Sequence, residues 1–435
     1  MKVKYIYSAC LEIECGGFRI LTDPWFTEGA YDGAWFQYPK IDPFEHIQEK
    51  PDIIYISHIH PDHYDPNFLH QIQNRFGPIE IIIPDLKINS LQKKGFVDGL
   101  NLNPVRHYEN NDVELFIEEN DTGSISDIDS ALIVKDKHSG QILLNLNDCI
   151  FNQTHVDKLK NILSSLSNSL DVLALGYTGA GPFPQTYFSI EDQLDLLEES
   201  AKRKKLDFFK RYMKYSNFFN AKINLPFAGE YVLGGKLYKL NKYRGVADAI
   251  EIKDFDQKAV ILNPGGFLNL DQSKIINERQ KKHSQSDIEN YLEEIKSMRM
   301  AYEDIEVTFD KLLFKKLLEE AAVNAEIKSE ISSKYNFIFE LVNESDEILL
   351  RLVLKTNPQE VFSIQSDADI SFTNYSAIKI DYRYFYGLLT SKYHWNNAIV
   401  GSQFFTKREP IHDFRRDVQS YLYYLTTKRK HHANQ

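Results

Sequence analysis

Cysteine is scarce in this chain, and long apolar runs are missing. The 435 residues include three cysteines, Cys10, Cys15 and Cys149, and none of them forms a CxxC pair. This sparse set argues against a disulfide framework and against a structural zinc ribbon. The longest apolar runs, such as Ile53–Ile56, are far shorter than the ~20 residues that a membrane-spanning helix needs. We therefore expect reduced thiols and no transmembrane segment.

The N-terminal stretch also lacks the features of a secretion signal. No sustained apolar segment precedes a small-residue cleavage site, so residues 1–17 are interpreted as the start of a sheet. From these features we expect a cytoplasmic protein.

Positive charge is in deficit. The chain has 62 acidic and 51 basic residues, a formal net charge of −11, and no long basic block. This balance disfavours nonspecific binding of nucleic acid. The short basic tail at 428–432 is interpreted as a solvated terminus. An apolar fraction of 43% with 13% aromatic residues is typical of a packed globular protein, and this length favours two or three domains.

The spacing of apolar residues changes along the chain. Up to about residue 148, short β-rich runs alternate with turn residues and predict a buried sheet. Helical spacing of about 3.6 residues follows in 156–166 and 189–215. The sequence thus predicts an α/β domain over 1–275 and a smaller α+β domain over 276–435, with substrate binding or dimerisation as candidate roles of the second. The polar segment after Asp271 is predicted to be an inter-domain connection or a solvated helix.

The segment SHIHPDHYD, directly after the apolar strand DIIYI, concentrates ligand-type side chains. His58, His60, Asp62 and His63 lie within six residues. Side chains two positions apart in an extended segment point to the same side, so His58 and His60 could bind one ion. Asp62 and His63 could hold a second ion a few ångströms away. Imidazoles with a carboxylate suit zinc or iron better than magnesium or calcium, and the sequence predicts a transition-metal site.

This motif resembles the signature of the metallo-β-lactamase superfamily, whose αββα sandwich binds one or two metals at the open edge of two packed sheets. The resemblance implies an acidic residue on an early strand, matched by Asp23 in LTDPW, and a metal-bridging aspartate, matched by Asp148 in ILLNLNDC. Asp62 and Asp148 are the candidate catalytic residues. Asp65 is expected to orient a ligand histidine from behind.

The resemblance can be narrowed by a series of segments that occur in order along the chain. They are YSACLEIECGG, LTDPW, PDIIYISHIHPDHYD, ILLNLNDC, YTGAGPFPQTY, INLPFAGEYV and LNPGGFLNLD. They are similar, over about the first 275 residues, to the catalytic portion of the CMP-N-acetylneuraminate hydroxylase family. Those hydroxylases also carry a Rieske iron–sulfur domain, which needs Cys-x-His ligand pairs. The chain has no such pair, so we expect electrons to come from a separate electron-transfer protein.

A second departure concerns the ligands themselves. Superfamily hydrolases have a third-motif histidine before the bridging aspartate, whereas LFIEENDTGSISDIDS has none. It has carboxylates instead, with Asp121 and Glu118 as the leading ligand candidates; a solvated loop is the alternative. Glu119, Asp127 and Asp129 complete this set. A site richer in oxygen favours iron over zinc, and the number of ions, one or two, stays open.

Candidate substrate-binding residues flank these motifs. The glycine-rich loop 176–184 could present N–H groups to an anionic substrate, or could be only a tight connection. Tyr177, Gln185 and Tyr187 lie in or after this loop, and Glu230 lies near the place of the missing fifth-motif histidine. Farther along, the segment KYHWNN is predicted to bury Trp395 in a domain interface, with a pocket wall as the alternative.

Three functions are compatible with this pattern. The first is an iron oxygenase that hydroxylates a small polar molecule such as an N-acyl sugar nucleotide. The second is a zinc hydrolase of a phosphoester, amide or lactone, in which the metal activates water. The third is a binding module that has kept the scaffold without catalysis. A small-molecule substrate is expected in the first two, with neither nucleic acid nor membrane as a partner.

Overall fold

The computed structural model describes residues 1–122, 128–329, 331, 334–411 and 415–427. Within these ranges no helix is both long and apolar enough to cross a bilayer. All three cysteines are buried free thiols, as the sequence predicts. Asp127 and the basic tail at 428–432 lie outside the described residues.

The first sheet has eight strands. Their order across the sheet is Lys274–Glu278, Leu262–Asn269, Lys2–Tyr7, Cys10–Cys15, Phe18–Thr22, Ile53–Tyr55, Glu80–Pro84 and Leu102–Val105. The first five strands pair antiparallel, and the last four, from Phe18–Thr22 onward, run parallel to one another. Parallel strands are buried on both faces, which explains their continuous apolar runs.

The second sheet has six strands. Their order is Ile223–Phe227, Val172–Gly176, Ile142–Asn145, Ser130–Asp136, Val113–Glu119 and His107–Glu109. The two sheets bury a common core that includes Val3, Leu11, Leu115 and Leu132.

Helices cover the outer faces of both sheets. Pro66–Phe76 packs on the first sheet through Phe68, Leu69 and Ile72. Ser90–Val97 flanks the same sheet, whereas Gln153–Leu166 and Leu194–Phe219 cover the second. The layers are therefore helix, sheet, sheet, helix, which confirms the predicted αββα sandwich.

The C-terminal part contains a third, five-stranded sheet. Its order is Glu360–Ile364, Ile348–Lys355, Asn336–Val342, Tyr375–Asp381 and Phe405–Glu409. Its helices are Gln285–Ile295, Lys311–Lys328, Tyr382–Leu389, Trp395–Val400 and Arg416–Tyr423. The shorter elements are the turns Ala30–Gly33 and Pro43–His46, the strand pair Trp35–Phe36 and Val232–Leu233, and the 3₁₀ turns Gly235–Tyr243, Ala249–Asp254, Ala301–Asp304 and Asp367–Asp369.

The segment after Asp271 corrects one expectation. It is neither a connection nor a helix, because Lys274–Glu278 pairs antiparallel with Leu262–Asn269. At the edge of the sheet its charged side chains stay exposed, so a strand here needs no apolar face. The strand spans the predicted division between 275 and 276. One hydrophobic cluster joins Tyr31 and Trp35 to Phe385 and Trp395, so the two parts of the chain share a core.

Candidate metal centre

Two neighbouring parallel strands end side by side and place the motif. Thr22 lies opposite Tyr55 in the pairing of Phe18–Thr22 with Ile53–Tyr55. Asp23 follows the first strand, and the segment 57–65, called here the motif loop, follows the second. Carboxyl ends of parallel strands open at the same edge of a sheet, where α/β folds commonly bind ligands.

Donor atoms from the motif loop and from Asp148 form two adjacent groups. The first donor group consists of His58, His60 and Asp148, and the second of Asp62, His63 and Asp148. Within each group the donor atoms lie within 4.8 Å of one another. His58 Nε2 is 2.9 Å from His60 Nδ1, and His63 Nε2 is 3.6 Å from Asp148 Oδ2. Asp148 belongs to both groups, which is the arrangement needed for two adjacent ions.

Burial sets the protonation of these side chains. It lowers the pKa of His58 well below its ordinary value and that of His60 to about 4, so both imidazoles are neutral near pH 7. Burial raises the pKa of Asp62 to about 6. For Asp148, burial acts to raise the pKa, but the charge of His63 outweighs it and holds the pKa below its ordinary value.

His63 is the positive group among these carboxylates. Burial disfavours its charge, yet Asp62, Asp148 and Asp23 together raise its pKa well above the ordinary value. Neutral imidazoles beside a surplus of buried carboxylate fit a divalent transition-metal ion, which supplies positive charge and accepts both nitrogen and oxygen donors. The residues present therefore fit the expected metal.

The described carboxylates of the segment 115–130 lie in different surroundings. Glu118 pairs with Lys158 at 3.0 Å on the helix-covered face, because strand alternation turns it away from the core. Asp121 is exposed, and its carbonyl accepts a hydrogen bond from Asn152. Among the described residues, neither belongs to a donor group. Asp129 lies nearer to the candidate ligands, because its Oδ1 is 3.9 Å from His58 Nε2.

The place of Asp129 follows from its neighbour. Ser130 Oγ donates to the carbonyl of Ser57 at 2.9 Å and also contacts the Tyr55 hydroxyl. These bonds tie the start of the strand Ser130–Asp136 to the motif loop. Asp129, one residue earlier, is thereby placed beside His58.

Comparison with known proteins agrees with this geometry. A family model described as a beta-lactamase superfamily domain matches residues 2–129. Residues 2–129 are therefore similar to a beta-lactamase superfamily domain. Cytidine monophosphate-N-acetylneuraminic acid hydroxylase of Danio rerio is 28% identical over 236 residues, which are 52% of this chain and 37% of that protein. The match thus spans well under half of that relative's length.

Two solved structures are also similar. Isothiocyanate hydrolase from Delia radicum gut bacteria has 13% identity and a TM-score of 0.42, covering 62% of this chain and 99% of that one. CmlA, a diiron β-hydroxylase from Streptomyces venezuelae, has 14% identity and a TM-score of 0.38, covering 60% and 53%.

Two further aspartates, Asp23 and Asp65, hold the motif loop. Asp23 Oδ2 lies 3.1 Å from His63 Nδ1, and its carboxylate accepts bonds from the Ser57 N–H and hydroxyl at 2.7 and 2.8 Å. Asp23 thus lies directly behind the candidate ligand His63. Asp65 has different partners. Its carboxylate oxygens accept hydrogen bonds from Phe26 N, Thr27 N, Thr27 Oγ1 and Phe68 N.

A cavity of about 110 Å³ opens on the candidate metal centre. Asp62 and Asp148 line it together with Trp35, Arg211 and Tyr231. Trp35 and Tyr231 stack with ring centroids 3.4 Å apart and form an aromatic wall. Sequence reasoning missed Arg211, because one arginine in an amphipathic helix carries no pattern that distinguishes it.

The candidate substrate residues lie in different places. Tyr177 and Glu230 line an adjoining cleft of about 930 Å³, which shares Tyr231 with the metal-centre cavity and in which Glu230 pairs with Arg279 at 2.9 Å. Gln185 donates to Gly181 O and Ser402 Oγ. Tyr187 lies beneath Arg408. None of these four is among the described residues that line the 110 Å³ cavity.

Two side chains outside the motif loop, which were not predicted as site residues, contact candidate ligands. The Tyr31 hydroxyl donates to Asp62 Oδ1 at 2.5 Å, and Asn396 Nδ2 lies 2.8 Å from His60 Nε2. Asn396 belongs to the KYHWNN segment, for which the sequence predicts either burial of Trp395 or a pocket wall. Trp395 is fully buried. No sequence pattern points to Tyr31.

A third grouping of donor atoms lies on an exposed hairpin. It consists of His107, Glu109 and Glu114. Lys137 pairs with Glu109 at 2.7 Å, and Lys135 lies 3.4 Å from Glu114, so lysines already neutralise these carboxylates. This grouping is explained as a surface ion-pair network.

Proposed function

We propose that the chain is a non-haem iron oxygenase that hydroxylates a small polar substrate. The observation that carries this proposal is the composition of the first donor group: two imidazoles and one carboxylate, with Asp129 close by. No third imidazole of the described residues belongs to that group. Two histidines and one carboxylate are the ligand set of many iron(II) oxygenases, which leave further positions open for dioxygen and substrate.

The curated relatives support the same class of reaction. Those of Danio rerio and Mus musculus are named as hydroxylases of cytidine monophosphate-N-acetylneuraminic acid, and each is similar to about half of this chain. We therefore propose an N-acyl sugar nucleotide, or a molecule of similar polarity, as the substrate.

Bound iron(II) would supply the chemistry that activates dioxygen. Hydroxylation puts one oxygen atom into a C–H bond and reduces the other to water, which consumes two electrons and two protons. We propose that a separate electron-transfer protein delivers the electrons.

The chain's own groups would position the substrate and move protons. The Arg211 guanidinium in the cavity wall would hold an anionic or carbonyl group of the substrate, while Trp35 and Tyr231 exclude water on one side. Asp62, with a pKa of about 6, can accept or release a proton near neutral pH. The Tyr31 hydroxyl keeps Asp62 Oδ1 occupied, so exchange would occur at Oδ2.

The second candidate is a zinc hydrolase. The second donor group favours it, because two adjacent ions sharing a carboxylate could activate a water and hold the scissile group. In this reaction Asp62 would receive the proton of the attacking water.

Metal analysis combined with oxygen uptake distinguishes the two. The protein is purified without added metal, its iron and zinc are quantified, and oxygen consumption is followed with a chemical reductant. The oxygenase proposal expects iron at one or two ions per chain and reductant-dependent uptake. Stoichiometric zinc without oxygen uptake, together with hydrolysis of phosphodiesters, would overturn it.

Two variants test the ligands. His58→Ala and Asp148→Ala are each expected to lose bound metal, because each removes a donor of the first group. His70→Ala is the matched control, since His70 is an exposed histidine of the nearby helix Pro66–Phe76 that bonds the carbonyl of Asp98. Full metal content in both ligand variants would show that the site is elsewhere.

A further inference from the structure

We propose that the C-terminal domain is part of the metal centre and that Asn396 is a positioning residue for His60. The inference rests on the proposed metal site and adds a residue from outside the metallo-β-lactamase domain. It gives the C-terminal domain a role in positioning a metal ligand, beyond the substrate-binding or dimerisation roles that its sequence suggests.

The two ring nitrogens of His60 face different partners. Nδ1 faces His58 Nε2 at 2.9 Å inside the first donor group, and Nε2 faces the side-chain amide of Asn396 at 2.8 Å. When Nδ1 offers its lone pair to an ion, the proton of the neutral imidazole sits on Nε2. That N–H then needs an acceptor, and ligand histidines usually donate to a carboxylate or carbonyl.

The amide of Asn396 can supply this acceptor without moving its backbone. Rotation of the amide by half a turn exchanges Nδ2 and Oδ1 at the same position. Oδ1 then accepts the Nε2–H of His60, which fixes both the tautomer and the plane of the ring. Asn396 therefore orients the ligand and does not itself contact the ion.

The helix Trp395–Val400 holds Asn396 in place. Trp395 is fully buried, and its indole N–H donates to the carbonyl of Leu425 at 2.9 Å. The Asn396 N–H donates to His394 Nδ1 at the start of the helix. The amide that meets His60 thus stands on an anchored element, which is what a positioning residue requires.

A second set of contacts from the C-terminal domain reaches the second donor group. Tyr31 and Asp32 have positive φ angles of 56° and 61°, a left-handed conformation that non-glycine residues rarely adopt. Gln403 Nε2 donates to Tyr31 O at 2.7 Å, and the Tyr384 hydroxyl donates to Asp32 Oδ2 at 2.7 Å. These bonds hold the turn whose Tyr31 hydroxyl reaches Asp62.

The C-terminal domain therefore contacts one candidate ligand of each donor group. It does so directly at His60 and through Tyr31 at Asp62. Removing the direct contact should loosen His60 while leaving all donor atoms present, so the metal should bind more weakly and with altered geometry.

Cobalt(II) titration of the full-length protein tests this inference, because its visible spectrum reports both affinity and coordination geometry. Asn396→Leu keeps the volume of the side chain but removes the acceptor. We expect it to weaken cobalt binding by about 10- to 100-fold and to change the visible spectrum. Asn396→Asp restores an acceptor, and we expect affinity within about threefold of the wild type. Asn397→Ala, one residue along the same helix, is the control and should bind as the wild type does.

The outcomes separate the inference from the proposed function. Wild-type affinity and spectrum in Asn396→Leu would overturn the inference while leaving the metal centre standing. Absence of cobalt binding in the wild-type protein would overturn the metal centre itself. If Asn396→Leu does not fold, Asn396→Asp and Asn396→Ala decide: equal weakening of binding in both would contradict an acceptor role, whereas rescue by Asp alone would support it.

Discussion

Asp148 contributes a carboxylate oxygen to both donor groups, whereas Asp62 contributes to one. Their protonation also differs. The positive charge of His63 lowers the pKa of Asp148 against the effect of burial, while burial keeps the pKa of Asp62 near 6. Without a bound ion, the two aspartates therefore differ: the charge of His63 favours the anionic form of Asp148, whereas burial favours the protonated form of Asp62.

This asymmetry predicts different metal stoichiometries for two conservative variants. Asp62→Asn should retain the ion of the first donor group, because His58, His60 and Asp148 remain. Asp148→Asn should lose metal from both groups. Metal content per chain, measured by elemental analysis after dialysis, checks the pair. Retention of metal in Asp148→Asn with complete loss in Asp62→Asn would reverse our assignment.

At the scale of elements, the motif loop owes its shape to its last residue. Asp65 caps the helix Pro66–Phe76 by accepting from Phe68 N, and the proline at the first helical position suits this start. The same carboxylate binds the backbone of Phe26 and Thr27. Asp65 thus joins the segments after two neighbouring strands, and its role is in stability.

Replacement of this cap should destabilise the fold without removing a ligand. Asp65 is 3% exposed, so Asp65→Ala leaves several buried donors without an acceptor. We expect a loss of about 3 kcal/mol in the free energy of unfolding, measured by urea denaturation, with unchanged metal content in the folded protein. Asp42→Ala is the matched control, because Asp42 caps Pro43–His46 in an exposed position and should cost about 1 kcal/mol. Equal losses in the two variants would contradict this account.

At the scale of the whole molecule, the two parts of the chain share a hydrophobic cluster and a buried polar contact. Asp32 and Tyr384, 352 positions apart, form a hydrogen bond across this boundary. Burial raises the pKa of Asp32 to about 6 from 3.8, and the bond from Tyr384 only partly offsets this. The folded state therefore binds the Asp32 proton more tightly than the unfolded state does.

The sign of the pH dependence follows from linkage. Between pH 4 and 6 the folded state retains more of this proton, so the stability contributed by Asp32 falls as pH rises and is lowest above pH 6. Asp32→Asn removes the titration and keeps an acceptor for Tyr384. The free energy of unfolding of this variant, relative to that of the wild type, should therefore increase by up to about 3 kcal/mol when the pH is raised from 4 to 7. Urea denaturation at both pH values measures the difference, with Asp254→Asn at an exposed position as control. A difference that does not vary with pH would contradict the prediction.

Several features could be predicted because they depend on local pattern. Apolar runs bounded by turn residues indicated the strands, and the spacing of His58, His60 and His63 after one of them indicated the donor loop. Lys274–Glu278 could not be recognised, since an edge strand with exposed side chains has the composition of a linker. Which carboxylate of the segment 115–130 lies near His58 also depends on features that composition does not show, namely strand alternation and the bond from Ser130 to Ser57.

The sequence by itself determined the donor types, their place after a buried strand and an α/β domain, because these follow from side-chain chemistry and from periodicity along the chain; the layered sandwich was implied by the family resemblance of the motifs. Only the tertiary structure decided which distant residues complete the site. Asp129, Tyr31 and Asn396 approach the motif loop from other elements through hydrogen bonds whose partners lie up to 336 positions away. Such contacts depend on how sheets and helices pack in space, and no short-range pattern records them.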